Sequence, residues 1–309
     1  MTTVSARHRL EYLALRLAAG ELIQLAPGTA FGVAEGVGLL AYRALGGRTR
    51  TGRENLAAAY PELSPEERER LLRSVYRNLF RTAAEVLYLR KLVRPDNWRD
   101  YVEIENADAA LDVCLAGKGG ILVSGHLGNW ELMGHVMGYI GLDSQALARP
   151  LDNPLLDRYL LGLRESGLRR IILKSGAGAV IEKALSEGGF ISILIDQDAG
   201  HRGAFVRFFG RPASTWRTPA ILSMKTGAPI LPGCCVRLGK GTRFRIIVGR
   251  PIVPDPDADV KAETLRITGE FTRQLEGWVR QYPEQYLWLH RRWKSAPGPR
   301  SMVAAEGAA

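Results

Sequence analysis

The strongest fold signal in this 309-residue chain is the stretch Gly120-Ile-Leu-Val-Ser-Gly-His-Leu-Gly-Asn-Trp-Glu131. It begins with a short apolar run that is typical of a buried strand. His126 and Glu131 follow that run, five positions apart. On one regular helix, side chains at this spacing lie about 140° apart around the axis and point away from each other. The spacing therefore predicts that His126 lies in a strand-to-helix turn and that only Glu131 is helical.

The residues around His126 favour such a turn. Gly125 and Gly128 flank the histidine and allow the unusual backbone that a sharp turn needs. Asn129 predicts the N-cap of the next helix, which places Glu131 in the first turn, where the helix dipole favours a carboxylate. The same dipole keeps His126 neutral unless the carboxylate outweighs it. The pattern suits a general base whose ring is held by Glu131; the alternative is a histidine satisfied in a turn beside an ordinary first-turn glutamate.

The composition indicates a basic protein with a sizeable core. The chain has 42 basic and 32 acidic residues, a net charge of +10 and a pI near 9.7. Basic chains bind nucleic acid, anionic membranes or acidic partners. Aromatic residues are not interleaved with basic ones, so nucleic acid is not the expected partner. Cys114, Cys234 and Cys235 form neither a disulfide framework nor a zinc spacing, which favours a reducing compartment.

Residues 1–55 are predicted to form a helical, membrane-associated segment without a cleavable signal peptide. Residues 22–42 are largely apolar but contain Gln24, Pro27 and Glu35, and fall short of about 18 uninterrupted apolar residues. The following arginines are Arg43, Arg48, Arg50 and Arg53. An apolar helix with a basic flank fits a segment that lies on an anionic membrane surface. The alternative is a helical hairpin packed on the core.

Strand and helix signals alternate through the rest of the chain. Strands are predicted at 120–123, 190–195, 229–237 and 242–248, and helices at about 64–92, from 130, and at 157–166, 179–187, 217–226 and 261–282. The first of these helices starts at the capping box Ser64-Pro-Glu-Glu67. This order predicts an α/β fold with a central, mostly parallel or mixed sheet flanked by helices. Residues 56–294 form the predicted main domain, and the Pro/Gly/Ala-rich residues 295–309 a disordered tail.

A second polar cluster, Asp196-Gln197-Asp198, ends the strand predicted at 190–195 and continues to Arg202. Two such strand ends commonly lie at the same edge of an α/β sheet, where binding sites form. Asp196 suits a contact with a helix or an arginine, and Arg202 suits a phosphate. The alternative is a glycine-rich structural turn closed by Asp–Arg pairing.

A looser polar set consists of Arg149, Asn153 and Arg164. Arginine side chains fit phosphate or carboxylate groups, although each of these residues alone is typical of a surface. Several other chemistries are not indicated. Ser124 lacks the Gly-x-Ser-x-Gly context of a serine hydrolase, no Walker A sequence occurs, and no third ligand joins His126 and His135 for a metal site.

Four motifs occur in one order along the chain. They are Gly125-His-Leu-Gly-Asn-Trp-Glu131, Arg149-Pro-Leu-Asp-Asn-Pro154, Asp196-Gln-Asp-Ala-Gly200 with Phe205-Val-Arg-Phe-Phe-Gly210, and Pro283-Glu-Gln-Tyr-Leu-Trp-Leu-His-Arg-Arg292. Together they resemble the late acyltransferases of lipid A biosynthesis, the lauroyl/myristoyl transferase family, over nearly the whole chain. The His-x4-Asp/Glu element is shared with the wider lysophospholipid acyltransferase-like superfamily, whereas the Pro-Glu-Gln-Tyr ending is more specific.

The resemblance implies an enzyme at the cytoplasmic face of the inner membrane. Such enzymes move a fatty acyl chain from acyl carrier protein to a hydroxyl group of a lipid A precursor, without a cofactor or metal. By the same resemblance, His126 is the general base and Glu131 its orienting carboxylate. The implied substrate-binding positions are Asn129, Arg149, Asn153, Arg164, Asp196, Gln197 and Arg202. The expected partners are acyl carrier protein, a glycolipid acceptor and an anionic membrane surface.

Two alternatives stay open at this point. The same catalytic pair would serve an acyl-CoA-dependent enzyme that acts on another glycolipid, such as a phosphatidylinositol mannoside. A basic membrane- or nucleic-acid-binding protein, in which the His126–Glu131 pair is only structural, would share the net charge. The apolar N-terminal segment, broken by Pro27 and Glu35, departs from the continuous segment of firmly anchored family members. That departure weakens the case for a full membrane span.

Overall fold

A computed structural model describes residues 4–142, 144–148, 150–165, 170–173, 177–298 and 302–303. The helices are α1 (Ala6–Leu22), α2 (Pro27–Ala44), α3 (Gly46–Ala59), α4 (Pro65–Leu92), α5 (Trp98–Tyr101), α6 (Ala107–Leu115), α7 (Trp130–Tyr139), α8 (Pro154–Glu165), α9 (Ala177–Ser186), α10 (Thr218–Thr226) and α11 (Val260–Gln281). The strands are β1 (Val102–Glu105), β2 (Gly120–Ser124), β3 (Ser144–Ala148), β4 (Arg170–Leu173), β5 (Phe190–Leu194), β6 (Ala204–Phe208), β7 (Arg211–Thr215), β8 (Ile230–Leu238), β9 (Arg243–Val248) and β10 (Met302–Val303).

Seven of these strands form one sheet in the order β1-β9-β8-β2-β5-β3-β4. Neighbouring strands are parallel except β8 and β9, which are antiparallel. The predicted α/β fold with a mostly parallel, mixed sheet is therefore confirmed. All five residues of β2 are buried, and the strand lies between β8 and β5. Because β2 and β5 are parallel neighbours, their carboxyl ends lie side by side at one edge of the sheet.

A smaller sheet follows β5 in the chain. β6 and β7 form an antiparallel hairpin, and β10 pairs with β6 in parallel. The sequence predicts no strands here, because the polar cluster and its glycines resemble a loop. Phe205, Phe208 and Phe209 are buried in the structure. They are therefore core residues of the protein.

The long predicted helices are found close to their predicted bounds. α4 begins at the Ser64–Glu67 capping box, in which both reciprocal hydrogen bonds are present, and it ends at Leu92. β1, β3 and β4 are not predicted from the sequence. Each has only four or five residues. Such short strands carry too little periodicity to stand out from loops.

Pro27 and Glu35, which interrupt the apolar N-terminal stretch, each have a structural role. Pro27 begins α2. The backbone nitrogen at this position has no hydrogen-bond partner within the helix, so a proline is tolerated there. Glu35 reaches toward α4 and forms ion pairs with Arg77 at 2.6 Å and Arg81 at 2.9 Å. The same side of α2 buries Phe31 among apolar residues of α4. Among the residues described, no helix is both long enough and apolar enough to cross a membrane.

The outer faces of α1 and α2 expose many large apolar side chains. These are Leu10, Leu13, Leu17, Val33, Val37 and Leu40. Contact of this segment with a membrane stays a prediction. The predicted boundary after residue 55 falls within α3, and Asn55 there donates to the carbonyl groups of Trp288 and His290. The division into domains and the disordered tail likewise stay predictions.

A buried ion-pair network joins α4 to the sheet behind the His126 turn. Glu85 is 3% exposed, and Arg237 of β8 binds both of its carboxylate oxygens, at 2.5 and 2.7 Å. Arg81 adds a bond of 3.1 Å, and the Asn129 amide adds another of 3.1 Å. A buried charge of this kind is tolerated only when its partners neutralise it. The network therefore fixes the position of Asn129 relative to α4.

We expect Glu85→Ala to lower the free energy of unfolding by about 3–5 kcal/mol, because it leaves Arg237 buried without its carboxylate. Urea unfolding followed by circular dichroism measures the change. Glu182→Ala is the matched control, since it removes the exposed ion pair with Lys225. The control should cost about 0–1 kcal/mol. Similar losses in the two variants would contradict the structural importance of the buried network.

Candidate active site

His126 lies in the turn between β2 and α7, as predicted from its spacing to Glu131. Asn129 is the N-cap of α7, its side chain accepts a hydrogen bond from the Leu132 amide, and Glu131 is in the first turn. Gly128 has a φ of 64°, and a Cβ atom there would lie 2.0 Å from the Cys235 carbonyl oxygen. Only glycine fits this close approach to β8. The strand-turn-helix prediction is therefore confirmed in detail.

The imidazole of His126 is held by Asp196, which follows β5. His126 Nδ1 lies 2.8 Å from Asp196 Oδ1, and the His126 backbone amide donates to Asp196 Oδ2 at 2.7 Å. Asp196 is 4% exposed, and both of its oxygens are used. An acidic partner at Nδ1 makes that nitrogen the donor. The neutral ring then presents Nε2 as the acceptor, which is the tautomer that a general base needs.

Electrostatics tune the two groups of this pair in opposite directions. Burial lowers the pKa of His126, but the charges of Asp196 and Glu131 outweigh burial and raise it above its usual value. Burial raises the pKa of Asp196, but His126 and Arg292 outweigh that effect and lower it. The carboxylate therefore stays ionised, and the ring is a stronger base than a free histidine. The carboxylates override the helix dipole, which alone would favour the neutral ring.

Glu131 forms a separate pair beside the ring. Arg164 of α8 donates to it from Nη2 at 2.6 Å and from Nε at 3.0 and 3.1 Å. The indole of Trp130 adds a bond of 3.2 Å. The sequence predicts that Glu131 orients the His126 ring. In the structure, the carboxylate that contacts Nδ1 of this ring is Asp196. The reason is topological: β5 delivers Asp196 to the ring from the next strand, while Glu131 extends from α7 toward α8.

The Pro-Glu-Gln-Tyr segment braces the turn from behind. The Leu287 amide donates to the His126 carbonyl at 3.0 Å, and the Gly128 amide donates to the Gln285 carbonyl at 3.0 Å. The Gln285 side chain in turn bonds both backbone groups of Arg237 on β8. These backbone contacts fix the path of the turn independently of side-chain identity. The Pro-Glu-Gln-Tyr segment is therefore part of the framework of the His126 turn, although it lies far away in the chain.

Three residues of the same segment contribute to the site but are not assigned a role from the sequence. Tyr286 is buried near Asp196, and burial together with the charge of Asp196 raises the pKa of Tyr286. His290 accepts from the Asp198 amide at 3.1 Å, and burial lowers its pKa. Arg292 is buried and donates to the Ser214 carbonyl at 2.6 Å. The only sequence feature that could have indicated a role for these residues is the polar and aromatic composition of their motif.

The remaining predicted site residues are dispersed. Asn129 is fully buried and turns its amide toward Glu85, so it faces the core. Gln197 and Arg202 are exposed near the end of β5. Asn153 is buried where α8 begins and contacts α1 instead of the His126 turn. Arg149 lies outside the described residues.

Two further features complete the surroundings. Among the described residues, no three His, Cys, Asp or Glu side chains are grouped as a metal site would require. A surface cavity of about 550 Å³ lies at the start of α3, lined by Arg48, Thr51, Arg291 and their neighbours. His126 does not line it. The histidine–carboxylate pair therefore stands apart from this cavity, at the edge of the sheet.

The fold and the site define a class of α/β protein in which a histidine–carboxylate pair at the sheet edge can take a proton from a bound hydroxyl group. The chain matches the model of the bacterial lipid A biosynthesis acyltransferase family over residues 5–295. It belongs to this family and is an acyltransferase, as its motifs predict.

Its similarity to characterised proteins is moderate and extends over most of the chain. It is 28% identical to the lipid A biosynthesis lauroyltransferase of Escherichia coli, over 85% of this chain and 84% of that protein. It is 27% identical to the lipid A biosynthesis palmitoleoyltransferase of the same organism, over 84% and 83%. A phosphatidylinositol mannoside acyltransferase of Mycobacterium tuberculosis is 27% identical, over 62% of this chain and 58% of that protein.

We expect Asp196→Asn to lower the pKa of His126, because it removes the charge that opposes burial. The new amide can also donate to Nδ1, which leaves the proton on Nε2 and takes away the base. Acyl transfer should fall about 10²–10⁴-fold, the usual contribution of general-base catalysis. Histidine NMR titration and the pH profile of kcat/KM measure the two effects.

Asp198→Asn is the matched control for this experiment. Its carboxylate binds the Gly200 amide and Ser295. The control should leave the pKa of His126 close to that of the unmodified protein. An Asp196→Asn variant with the original pKa would show that the ring does not depend on this carboxylate.

Proposed function

We propose that this acyltransferase moves a fatty acyl chain from the thioester of acyl carrier protein to a hydroxyl group of a lipid A precursor. The observation that carries the proposal is the His126–Asp196 pair. His126 is 16% exposed on its side chain, so the ring is accessible while its partner is buried. The two Escherichia coli relatives are lipid A biosynthesis transferases, which supports a glycolipid acceptor.

The chemistry needs only a base and an activated donor. His126 Nε2 takes the proton of the acceptor hydroxyl as the hydroxyl oxygen attacks the thioester carbonyl carbon. The carbonyl oxygen carries the negative charge of the tetrahedral intermediate, which backbone amides or an arginine would stabilise. The carbon–sulfur bond then breaks, and the imidazolium returns the proton to the leaving thiolate. Asp196 stabilises the imidazolium between these two proton transfers.

The charge of the protein supports both proposed partners. Acyl carrier protein is acidic, and a lipid A precursor carries phosphate groups, so each would be attracted to a chain with a net charge of +10. Arg202 lies exposed on the loop that follows Asp196. Its position suits a phosphate of the acceptor near the reacting hydroxyl.

We place the enzyme at the cytoplasmic face of the inner membrane, held by the outer surfaces of α1 and α2. Leu10, Leu13 and Leu17 are 68, 55 and 69% exposed and recur at helical spacing. Arg9 of the same helix is exposed and suits anionic headgroups. The surface would lie on the membrane without crossing it. A lipid acceptor could then reach the site from the same side.

A second candidate function is transfer to a phosphatidylinositol mannoside from acyl-CoA. The relative from Mycobacterium tuberculosis supports it, although the match covers only 62% of this chain. The same His126 chemistry serves both reactions. Mass spectrometry of lipid A from cells with and without the protein separates them, since loss of one acyl chain from lipid A supports only the first. Assays with the two purified thioesters identify the donor.

We expect His126→Ala to reduce acyl transfer about 10²–10⁴-fold, because the acceptor hydroxyl then lacks a general base. Mass-spectrometric detection of the acylated lipid A precursor measures the rate. His201→Ala is the matched control, since His201 is exposed on the loop after β5. The control should keep its rate within about twofold. Acyl transfer that survives in His126→Ala would show that the histidine is not the base.

We expect replacement of Leu10, Leu13 and Leu17 by serine to weaken binding to anionic liposomes at least ~tenfold, because burying each leucine contributes roughly 1.5–3 kcal/mol. Flotation with liposomes measures binding. Substitution is a cleaner test than removal of residues 1–45, which would also take Phe31 from the core.

The control for the membrane test replaces two other exposed leucines, Leu111 and Leu115 of α6, by serine. They lie outside the proposed membrane surface, so binding should stay within about twofold. If both sets of substitutions leave binding unchanged, the outer face of α1 is not a membrane anchor.

A further inference from the structure

α8 lies against the protein without entering its apolar core. No side chain described between residues 154 and 164 is fully buried. None of them belongs to a buried apolar cluster. Most helices gain their position from a buried apolar face. α8 rests on α7 and β4 through half-buried side chains, and polar contacts at its two ends add a defined geometry.

The far end of α8 carries Arg164, which binds Glu131 beside His126. The near end is set by Asn153, which directly precedes the helix and is 5% exposed. Asn153 Oδ1 accepts from the Leu155 amide at 3.0 Å and so caps the first turn. A helix is stiff, so a shift at its first residue is passed to Arg164, about 15 Å along the axis.

The amide of Asn153 is used for a different contact. Asn153 Nδ2 donates to the His8 carbonyl at 2.9 Å and to the Glu11 carboxylate at 2.9 Å. Both acceptors belong to α1, more than 140 positions earlier in the chain. Asn153 therefore joins the cap of α8 to the N-terminal helix through two separate hydrogen bonds.

Aromatic contacts extend the attachment of α1 along α8. The rings of Tyr12 and Tyr159 meet edge to face with centroids 6.5 Å apart. The guanidinium group of Arg16 lies 5.0 Å from the centre of the Tyr159 ring. These contacts are half-exposed, and each is weak by itself. Asn153 is the buried part of the attachment and the part with defined geometry.

The docking face of α1 does not compete with its exposed leucines. His8 and Tyr12 face α8, while Leu10, Leu13 and Leu17 point outward. At 3.6 residues per turn, these two groups lie on roughly opposite sides of the helix. α1 can therefore bind α8 and a lipid surface at the same time.

We infer that Asn153 is a positioning residue: by clamping α1 to α8, it holds Arg164 on Glu131 and sets the site at a fixed place relative to the surface that α1 binds. The catalytic part of this inference rests on the proposed function. The clamp itself does not. Asn153, which the family motif suggests as a substrate contact, would act through α8 and not by touching the substrate.

The electrostatics of His126 would report a loosened clamp. Four charged or titratable groups act on this ring: Asp196 after β5, Glu131 on α7, Arg164 on α8 and His290 in the C-terminal segment. Glu131 raises the pKa of His126 and Arg164 lowers it. If α8 shifts and Arg164 withdraws, the opposing effect weakens. The pKa of His126 should then rise, and the acidic limb of the pH profile should move to higher pH.

Asn153→Asp isolates the clamp from the cap. An aspartate still accepts from the Leu155 amide, but it has no amide to donate to α1, and it places a charge against Glu11. We expect trypsin to cleave after Arg9 and Arg16 about tenfold faster and the pKa of His126 to rise. kcat/KM should fall about ten- to a hundredfold, the scale expected when catalytic groups move by about 1 Å.

The double variant Glu11→Gln with Asn153→Asp should restore one of the two hydrogen bonds, because the glutamine amide can donate to the aspartate, whereas the bond to the His8 carbonyl stays lost. Glu11→Gln alone is the matched control, since its carbonyl still accepts from Asn153. We expect the double variant to recover at least about threefold of the loss in trypsin resistance and in kcat/KM, and to have a His126 pKa between those of Asn153→Asp and this control. Rescue of this kind separates positioning from a general loss of stability.

The inference is overturned if trypsin cleaves Asn153→Asp at the same rate as the unmodified protein and the His126 pKa is unchanged in this variant. It is also overturned if the double variant recovers none of the losses of Asn153→Asp. Trypsin cleavage and the NMR titration need no substrate, so they test the clamp whatever the reaction. Failure of the unmodified enzyme to acylate a lipid A precursor would overturn the proposed function alone.

Discussion

The hydrogen bond between His126 and Asp196 is the interaction on which the rest of the site depends. Both oxygens of a buried carboxylate bind one residue, through its ring and its backbone amide. This is possible because β2 and β5 are parallel neighbours and end at the same edge. The carboxylate fixes the tautomer of the ring and strengthens it as a base. The charge of Arg292 then offsets part of the cost of burying that carboxylate.

Two side chains at the start of α7 point in opposite directions. Asn129 turns inward, where Glu85 and the Cys235 carbonyl bind it. Glu131 turns outward to Arg164. The inward contact ties the turn to a buried charge network, while the outward contact ties it to α8, a helix outside the core. The site thus combines a rigid base with a carboxylate whose partner sits on a more weakly held element.

The sequence predicted the central part of this arrangement but not which side chains contact each other. The strand-turn-helix at His126, the α4 capping box and the mostly parallel sheet were all accessible, because each depends on local spacing or on the alternation of elements. Asp196 was correctly expected at the same sheet edge, but without its role on the ring. The contact of Asn153 with α1 was not predicted, because a motif identifies a residue without identifying what packs against it, and its contact with substrate stays a prediction.

The sequence by itself determined the class of fold, the place of His126 in a turn and, through four ordered motifs, membership of the acyltransferase family. These features are local, since side-chain periodicity and capping act over a few residues. The tertiary structure alone decided which carboxylate holds the ring. Asp196 lies 70 positions from His126, and the two meet only because β5 pairs with β2. Strand order follows from packing of the whole sheet, and no local pattern encodes it.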